Sequence, residues 1–137
     1  MRLTRMYRFA ASHRLHSHQL TAEQNRELYG KCNNPYGHGH DYALRVTVRG
    51  DVDPKTGRVI EPRKLDRYIR ERVLELLDHK DLNSDVPGFQ GVPTTENLVL
   101  EIERRLRADW SEHFTNAELD RIWVQETLRN TIELRNG

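Results

Sequence analysis

Hydrophobic and polar residues alternate along the first segment of the chain. Arg8, Ser12 and Arg14 occupy one parity. The other parity is mainly apolar and consists of Leu3, Tyr7, Phe9, Ala11, His13 and Leu15. A period of two residues predicts a half-buried strand, with His13 on its apolar face.

A second alternating segment begins at His38. Its apolar positions are Tyr42, Leu44, Val46 and Val48, which alternate with Asp41, Arg45, Thr47 and Arg49. His38 and His40 continue the apolar parity of this predicted strand unless a bulge intervenes. A turn is predicted to follow through Asp53, Pro54 and Gly57.

The middle of the chain has the spacing of two amphipathic helices. Within residues 62–83 the apolar positions are Leu65, Tyr68, Ile69, Val73, Leu76 and Leu77. Pro62 near the start of this segment suits the first turn of a helix. A second helix is predicted over residues 93–110, where Pro93 and the threonines open it and Leu98, Ile102 and Leu106 face inward.

The last segment returns to alternation and completes the predicted fold. Ile122, Val124 and Glu126 share one parity of a strand, and Ile132 with Leu134 predicts its hairpin partner across Asn130. The order ββααββ predicts an α+β fold, in which two helices cover one face of a four-stranded antiparallel sheet. Such a sheet has two open edges, so we expect the edges to pair with other subunits in a homo-oligomer.

Composition narrows the class of protein. The 137 residues fit a single domain over residues 1–137. The chain has 22 Lys and Arg against 21 Asp and Glu, a formal net charge of +1, so no overall field recruits nucleic acid. No apolar run approaches the roughly 20 residues of a membrane span. One cysteine and no apolar run typical of a secretory signal predict a cytoplasmic location.

Three histidines stand at strand ends on apolar parity: His13, His38 and His40. If the two strands are neighbours, these side chains converge on one metal ion, and three protein ligands with one open position are typical of catalytic zinc. The alternative is that each histidine packs in the core and donates a hydrogen bond. His16 and His18 are close in sequence, but their polar loop predicts that they are solvated.

Three further side chains have chemistry that the pattern leaves open. Cys32 is a structural ligand, an inert small hydrophobe or a reactive thiolate, and its polar neighbours favour the reactive interpretation. Asp78 and His79 form either a proton relay or a surface pair at a helix end. Glu126 directs a carboxylate toward the apolar side, where it needs a partner: two N–H donors of a ligand, an arginine or water.

Five segments resemble the 6-pyruvoyltetrahydropterin synthase family, in the family's order and across nearly the whole chain. They are "ASHRL", "GKCNNPYGHGHDY", "LDHKDLN", "PTTEN" and "ETLRN". The resemblance implies the tunnelling fold, in which three subunits join their sheets into a twelve-stranded antiparallel barrel and two rings stack into a hexamer. Active sites would then lie at subunit interfaces.

The resemblance also implies roles for individual residues. It implies zinc held by His13, His38 and His40. It implies a proton-abstracting thiolate at Cys32, a relay of Asp78 and His79, and a pterin-anchoring carboxylate at Glu126. Thr95 and Glu96 would line the pocket. Arg5 and Arg14 are candidate contacts for a triphosphate, on charge and on proximity to His13 alone.

The reaction implied by the resemblance is the conversion of 7,8-dihydroneopterin triphosphate to 6-pyruvoyltetrahydropterin, with elimination of triphosphate and no external redox cofactor. Related 6-carboxytetrahydropterin synthases of the queuosine pathway tend to place cysteine four residues before the His-Gly-His segment. Here Cys32 lies six residues before His38. The spacing favours the pyruvoyl reaction; the carboxy reaction and a non-catalytic metal-binding protein with this fold are the alternatives.

Overall fold

A five-stranded sheet forms the centre of the molecule in a computed structural model, which describes residues 1–136. The strand order is β3-β1-β2-β4-β5. The strands are β1 (Arg2–His13), β2 (His38–Gly50), β3 (Lys80–Asp81), β4 (Ala117–Thr127) and β5 (Asn130–Arg135). The long strands are antiparallel neighbours, and β1 and β2 pair along their whole shared length from Arg2 opposite Arg49 to His13 opposite His38.

The predicted α+β fold is confirmed, with one strand more than the four expected. The additional strand, β3, has two residues and runs parallel to Ala11 and Ser12 at the edge of β1. Two residues are too few to show an alternating pattern. Tertiary hydrogen bonds hold them instead: the His79 N–H donates to the Ala10 carbonyl, and the Leu82 N–H to the Ser12 carbonyl.

Both predicted amphipathic helices are present. The first consists of α2 (Pro62–Ile69), a π-helical turn (Arg70–Leu74) and α3 (Glu75–Leu77). Its side chains buried toward the sheet include Leu65, Ile69, Val73 and Leu77, spaced by four residues. The second is α4 (Thr95–Arg107), which the Thr94 side chain caps, and the short α5 (Trp110–His113) follows it.

One helix between the first two strands was not predicted. It is α1 (Ala22–Tyr29), followed by a 3₁₀ turn over Gly30–Asn33. Its only buried residue is Asn25, so it has no apolar stripe for periodicity to reveal. The available signal was the capping box formed by Thr21 and Gln24.

The core lies between the sheet and α2 to α4. Strand residues that alternate toward this face, including Phe9, Tyr42, Leu44, Val46 and Val124, are at most 3% exposed. The helices therefore cover the face to which the parity of β1 and β2 also directs the three histidines. No helix within residues 1–136 is long and apolar enough to cross a membrane.

Candidate active site

Three histidine side chains meet at one end of the sheet. His13 pairs with His38 across β1 and β2, and Ala11 pairs with His40, so His13, His38 and His40 share the helix-covered face. The Nε2 atoms of His13 and His38 are 3.1 Å apart. One nitrogen from each of the three rings lies within 4.8 Å of the others. The neighbouring strands thus bring the predicted metal ligands together.

A backbone carbonyl sets the orientation of His13, which is 1% exposed. The His13 Nδ1 lies 2.9 Å from the Pro93 carbonyl oxygen. A carbonyl can only accept, so Nδ1 carries the ring proton and Nε2 keeps its lone pair toward His38. Burial lowers the pKa of His13 and of His40, which favours the neutral form that a metal requires.

The Nε2 atom of His40 is buried and has no hydrogen-bond partner among residues 1–136. Its nearest carboxylate oxygen is Glu126 Oε1, at 4.0 Å. A buried polar atom without a partner is costly unless something occupies the space it faces. Imidazole nitrogens gathered in this way fit a cation such as Zn²⁺.

Glu126 extends the cluster from β4. The β4–β5 pairing shifts register between Gln125 and Thr127, which leaves Glu126 at an irregularity. The Thr95 hydroxyl, at the start of α4, donates to Glu126 Oε2 over 2.5 Å while Oε1 faces His40. Glu96 is exposed, and within residues 1–136 no hydrogen bond or ion pair joins it to these side chains.

Cys32 enters the same region from the 3₁₀ turn. The Leu15 N–H donates to the Cys32 carbonyl over 2.7 Å, which attaches this turn to the end of β1. Partial burial, and then the negative charge of Glu126, raise the pKa of the Cys32 thiol. Within one subunit the surroundings of Cys32 therefore favour the thiol, so a thiolate needs a nearby cation to stabilise it.

Tyr42 also lies in the candidate site, where the sequence predicted no role for it. It is fully buried, and its hydroxyl lies 3.5 Å from His13 Nδ1. Its ring packs against Phe9 on one side and meets His40 edge-on, with a centroid separation of 5.7 Å. The signal that could have found it is its parity, since it is the next residue after His40 on the same face.

Asp78 and His79 lie at the outer edge of β1. Asp78 Oδ1 accepts from the Ala10 N–H over 2.8 Å and lies 3.1 Å from His79 Nδ1. His79 has φ of 60° and a side chain that is 82% exposed. The two residues contact each other as the relay interpretation requires, but no hydrogen bond or ion pair within residues 1–136 joins them to the histidine cluster.

The remaining candidates have other contacts. His16 Nδ1 accepts from the Asn33 side chain, away from the three clustered histidines. The Arg5 guanidinium forms two hydrogen bonds with Asp66, and Arg5 lies eight residues before His13, about 26 Å along an extended strand. Within one chain Arg5 therefore does not reach the site. Arg14 donates through Nε to the Asn33 carbonyl.

A family profile and the sequences of known relatives match this chain over most of its length. The profile of a family described as 6-pyruvoyl tetrahydropterin synthase matches residues 2–137. The human 6-pyruvoyl tetrahydrobiopterin synthase is 50% identical over 101 residues, 73% of this chain and 70% of the human one. The Drosophila melanogaster enzyme is 42% identical over 134 residues, 97% of this chain and 78% of the relative.

A solved structure is similar over the full chain. It is that of Caenorhabditis elegans 6-pyruvoyl tetrahydropterin synthase, with a TM-score of 0.88 and 35% identity. The match covers 100% of this chain and 96% of that one. The similarity therefore includes every strand and helix that positions the histidine cluster.

Proposed function

Because the chain belongs to the 6-pyruvoyl tetrahydropterin synthase family, we propose that it converts 7,8-dihydroneopterin triphosphate to 6-pyruvoyltetrahydropterin with elimination of triphosphate. This reaction makes it a carbon–oxygen lyase of tetrahydrobiopterin-type biosynthesis. The observation that carries the proposal is the cluster of ring nitrogens, one each from His13, His38 and His40, all within 4.8 Å of one another. The buried His40 Nε2 in this cluster has no hydrogen-bond partner among residues 1–136 and lies 4.0 Å from the Glu126 carboxylate. Imidazole nitrogens and a partly buried acid in one place suit metal-assisted chemistry on a polar heterocycle.

We assign His13, His38 and His40 as the residues that would hold Zn²⁺. When bound, the metal would supply Lewis acidity that polarises the side-chain hydroxyls of the substrate and makes the adjacent C–H bonds more acidic. The Pro93 carbonyl supports this assignment, because an acceptor on the far ring nitrogen keeps the metal-facing nitrogen of His13 free of its proton.

Glu126 and Thr95 are proposed to bind the pterin. The guanidine-like edge of a pterin presents adjacent N–H donors, for which a carboxylate is a suitable acceptor. Thr95 donates to one oxygen of Glu126, which fixes the orientation of the carboxylate and leaves Oε1 directed into the site. Glu96 remains a predicted pocket residue on the strength of the family resemblance.

Cys32 is proposed to remove the carbon-bound proton of the substrate. Its half-buried position and its electrostatic coupling to Glu126 support a location in the same pocket. The raised pKa of its thiol works against this role in an isolated subunit. A cation held by the three histidines would lower that pKa and restore the thiolate.

Asp78 and His79 are proposed to reach the site of a neighbouring subunit. In a cyclic trimer every β1 runs in the same direction, so the free edge of β5 meets the neighbouring β1 antiparallel. The Asn130 end of β5 then lies toward Ala10, where Asp78 and His79 are attached. This geometry brings the neighbour's Glu126, four residues before Asn130, close to His79.

We also propose the hexamer of two stacked trimers that the family resemblance implies. It is supported by the sheet edges that stay open within residues 1–136, along β5 and along β1 before Ala11. We further propose a cytoplasmic location, which rests on the single, unpaired Cys32.

The first test is a product assay. Purified, zinc-loaded protein is incubated with 7,8-dihydroneopterin triphosphate, and triphosphate release is followed together with mass spectrometry of the pterin. We expect a 6-pyruvoyl product. A 6-carboxy product that has lost the remaining side-chain carbons would move the protein to the queuosine branch. An absence of turnover would favour a non-catalytic metal-binding role.

A further inference from the structure

One short segment touches both halves of the proposed site. The Pro93 carbonyl accepts from the metal-facing histidine His13, and the Thr95 hydroxyl donates to Glu126. These contacts join residues that are 80 and 31 positions apart in the sequence. Local structure around His13 and Glu126 therefore cannot set these two contacts. They depend on how the backbone of residues 92–97 is positioned.

The side chain of Asn97 fixes this segment. Its Nδ2 donates to the Val92 carbonyl over 2.7 Å, and the Thr94 N–H donates to the same carbonyl over 2.8 Å. The Asn97 N–H in turn donates to the Thr94 hydroxyl. Val92 is thus held from two sides, directly before the Pro93 carbonyl.

Gly91 makes room for this amide. It has φ of +79°, and a Cβ built there would lie 2.9 Å from Asn97 Nδ2. A side chain at this position would displace the amide from the Val92 carbonyl. The Asn97 side chain therefore needs a glycine at position 91 to reach the Val92 carbonyl. The start of a helix does not by itself impose this requirement.

We propose that Asn97 is a positioning residue that fixes the ring tautomer of His13 through the Val92 and Pro93 backbone. This inference rests on the proposed function, because it takes the histidine cluster as a metal site. Without the Asn97 donor, the Val92 carbonyl keeps only the Thr94 N–H as a partner, and the Pro93 carbonyl that follows it is held less firmly in place. The contact of His13 Nδ1 with this acceptor is then weakened, and the ring proton is distributed between Nδ1 and the metal-facing Nε2.

Loss of a group that directly orients a metal ligand typically costs about 10 to 100-fold in affinity. Asn97 acts one step further away, so we expect a roughly 3 to 10-fold increase in the zinc dissociation constant. The Thr95 contact lies on the same segment, and we expect pterin binding to weaken alongside zinc binding.

The test uses two variants and one matched control in the full-length chain. Asn97→Ala removes the amide, and Asn97→Asp keeps its shape but offers no donor to the Val92 carbonyl. The control Thr94→Ala removes the helix cap but leaves the Asn97 to Val92 hydrogen bond in place. Zinc affinity is measured by competition with a chromophoric chelator, and thermal unfolding is recorded for all variants.

Nitrogen NMR of the metal-free protein gives a second readout that needs neither zinc nor turnover. We expect the wild type and Thr94→Ala to show a single His13 tautomer protonated at Nδ1. Asn97→Asp should show exchange between the two tautomers, together with weaker zinc binding. Thr94→Ala should melt at a lower temperature than the wild type but bind zinc within about twofold of it.

Two results would overturn the inference. One is an unchanged His13 tautomer and unchanged zinc affinity in both Asn97 variants. The other is that Thr94→Ala has the same effects as Asn97→Asp, which would assign them to the stability of the helix end. The proposed metal site is tested separately, and it is wrong if the wild type does not bind zinc or if His38→Ala binds zinc equally well. In that case the tautomer measurement still decides the role of Asn97.

Discussion

Individual side chains in the site owe their directions to partners far away in the sequence. Thr95 holds one oxygen of Glu126, and the Pro93 carbonyl holds the outer nitrogen of His13. The Nε2 of His40 has no such partner among residues 1–136. The fold therefore provides hydrogen-bond partners for Glu126 and His13 and leaves the buried His40 Nε2 without one.

Substitutions at Cys32 and His38 should separate chemistry from metal binding. Cys32→Ala should reduce turnover at least about 100-fold, the scale of a lost proton-transfer group, because it removes the proposed base. Its metal content should stay at the wild-type level, because Cys32 is not one of the clustered ligands.

His38→Ala should lose both metal and activity. The measurements are turnover with the pterin triphosphate and metal content by mass spectrometry; full activity of Cys32→Ala would show that another group is the base.

Parity alone predicted four of the candidate site residues and missed the groups that orient them. His13, His38, His40 and Glu126 each continue an apolar alternation, which is why the sequence placed them on one face. The Pro93 carbonyl is a backbone group, and its contact with His13 spans 80 positions, so no local pattern reports it. The edge position of Asp78 and His79 also depends on tertiary pairing with Ala10.

At the scale of elements, an ion-pair cluster joins the first helical segment to the second. Arg72 lies in the π-helical turn and forms two hydrogen bonds with Asp109, at the start of α5. The Tyr68 hydroxyl donates to the same carboxylate, and the Arg72 guanidinium stacks 3.8 Å from the Tyr68 ring centroid. π turns alter the register of a helix, and here the turn contains the residue that reaches Asp109.

Removing the Asp109 charge should loosen this junction. The Arg72 and Tyr68 hydrogen bonds hold the pKa of Asp109 well below its ordinary value. A carboxyl group whose pKa is lowered by folding stabilises the protein above its unfolded pKa, and that contribution is lost as the pH falls. Asp109→Asn should therefore lower the melting temperature at pH 7 by roughly 3 to 6 °C. The difference from the wild type should shrink below about pH 4.

Asp51→Asn is the matched control for this change, because Asp51 is exposed and forms no ion pair within residues 1–136. Its melting temperature should follow the wild type across the same pH range. If Asp109→Asn and the wild type melted together at pH 7, the cluster would not contribute to stability. A gap that stayed constant down to pH 2 would assign the effect to packing rather than to charge.

Some helices and strands are predicted by local sequence patterns, and others depend on tertiary contacts. The helices over 62–77 and 95–107 have apolar stripes and were predicted from spacing, and the cap at Thr94 agrees with the predicted start of the second. The α1 helix has a capping box but almost no buried side chain, and β3 has two residues held by the edge of β1. The β3 strand is formed by contacts that a sequence pattern does not contain, whereas α1 has a local capping signal that apolar periodicity does not report.

For the whole molecule, the free edges of the sheet are the features that one chain leaves incomplete. Within residues 1–136 no strand pairs with the outer edge of β1 between Arg2 and Ala10, and none pairs with the outer edge of β5. The backbone of Ala10 faces that edge, since its N–H and carbonyl bind Asp78 and His79. Because backbone directions alternate along a strand, Met6 and Arg8 face the same way.

Met6→Pro should therefore block assembly without breaking the subunit. Proline removes the N–H that Met6 directs to the open edge, where a proline is tolerated, and leaves the β1–β2 hydrogen bonds intact. We expect the wild type at six times the 16.2 kDa chain mass by light scattering, and Met6→Pro mostly at the mass of one chain. Its circular dichroism should match the wild type.

Turnover of Met6→Pro should fall at least about 100-fold, the scale of a lost proton-transfer group, because His79 would no longer reach a neighbouring Glu126. Met6→Ala, which loses the exposed side chain but keeps the N–H, should assemble and turn over like the wild type. If monomeric Met6→Pro kept wild-type activity, each subunit would contain a complete site and Asp78 with His79 would act within their own chain. If it assembled normally, the β1 edge would not be the interface.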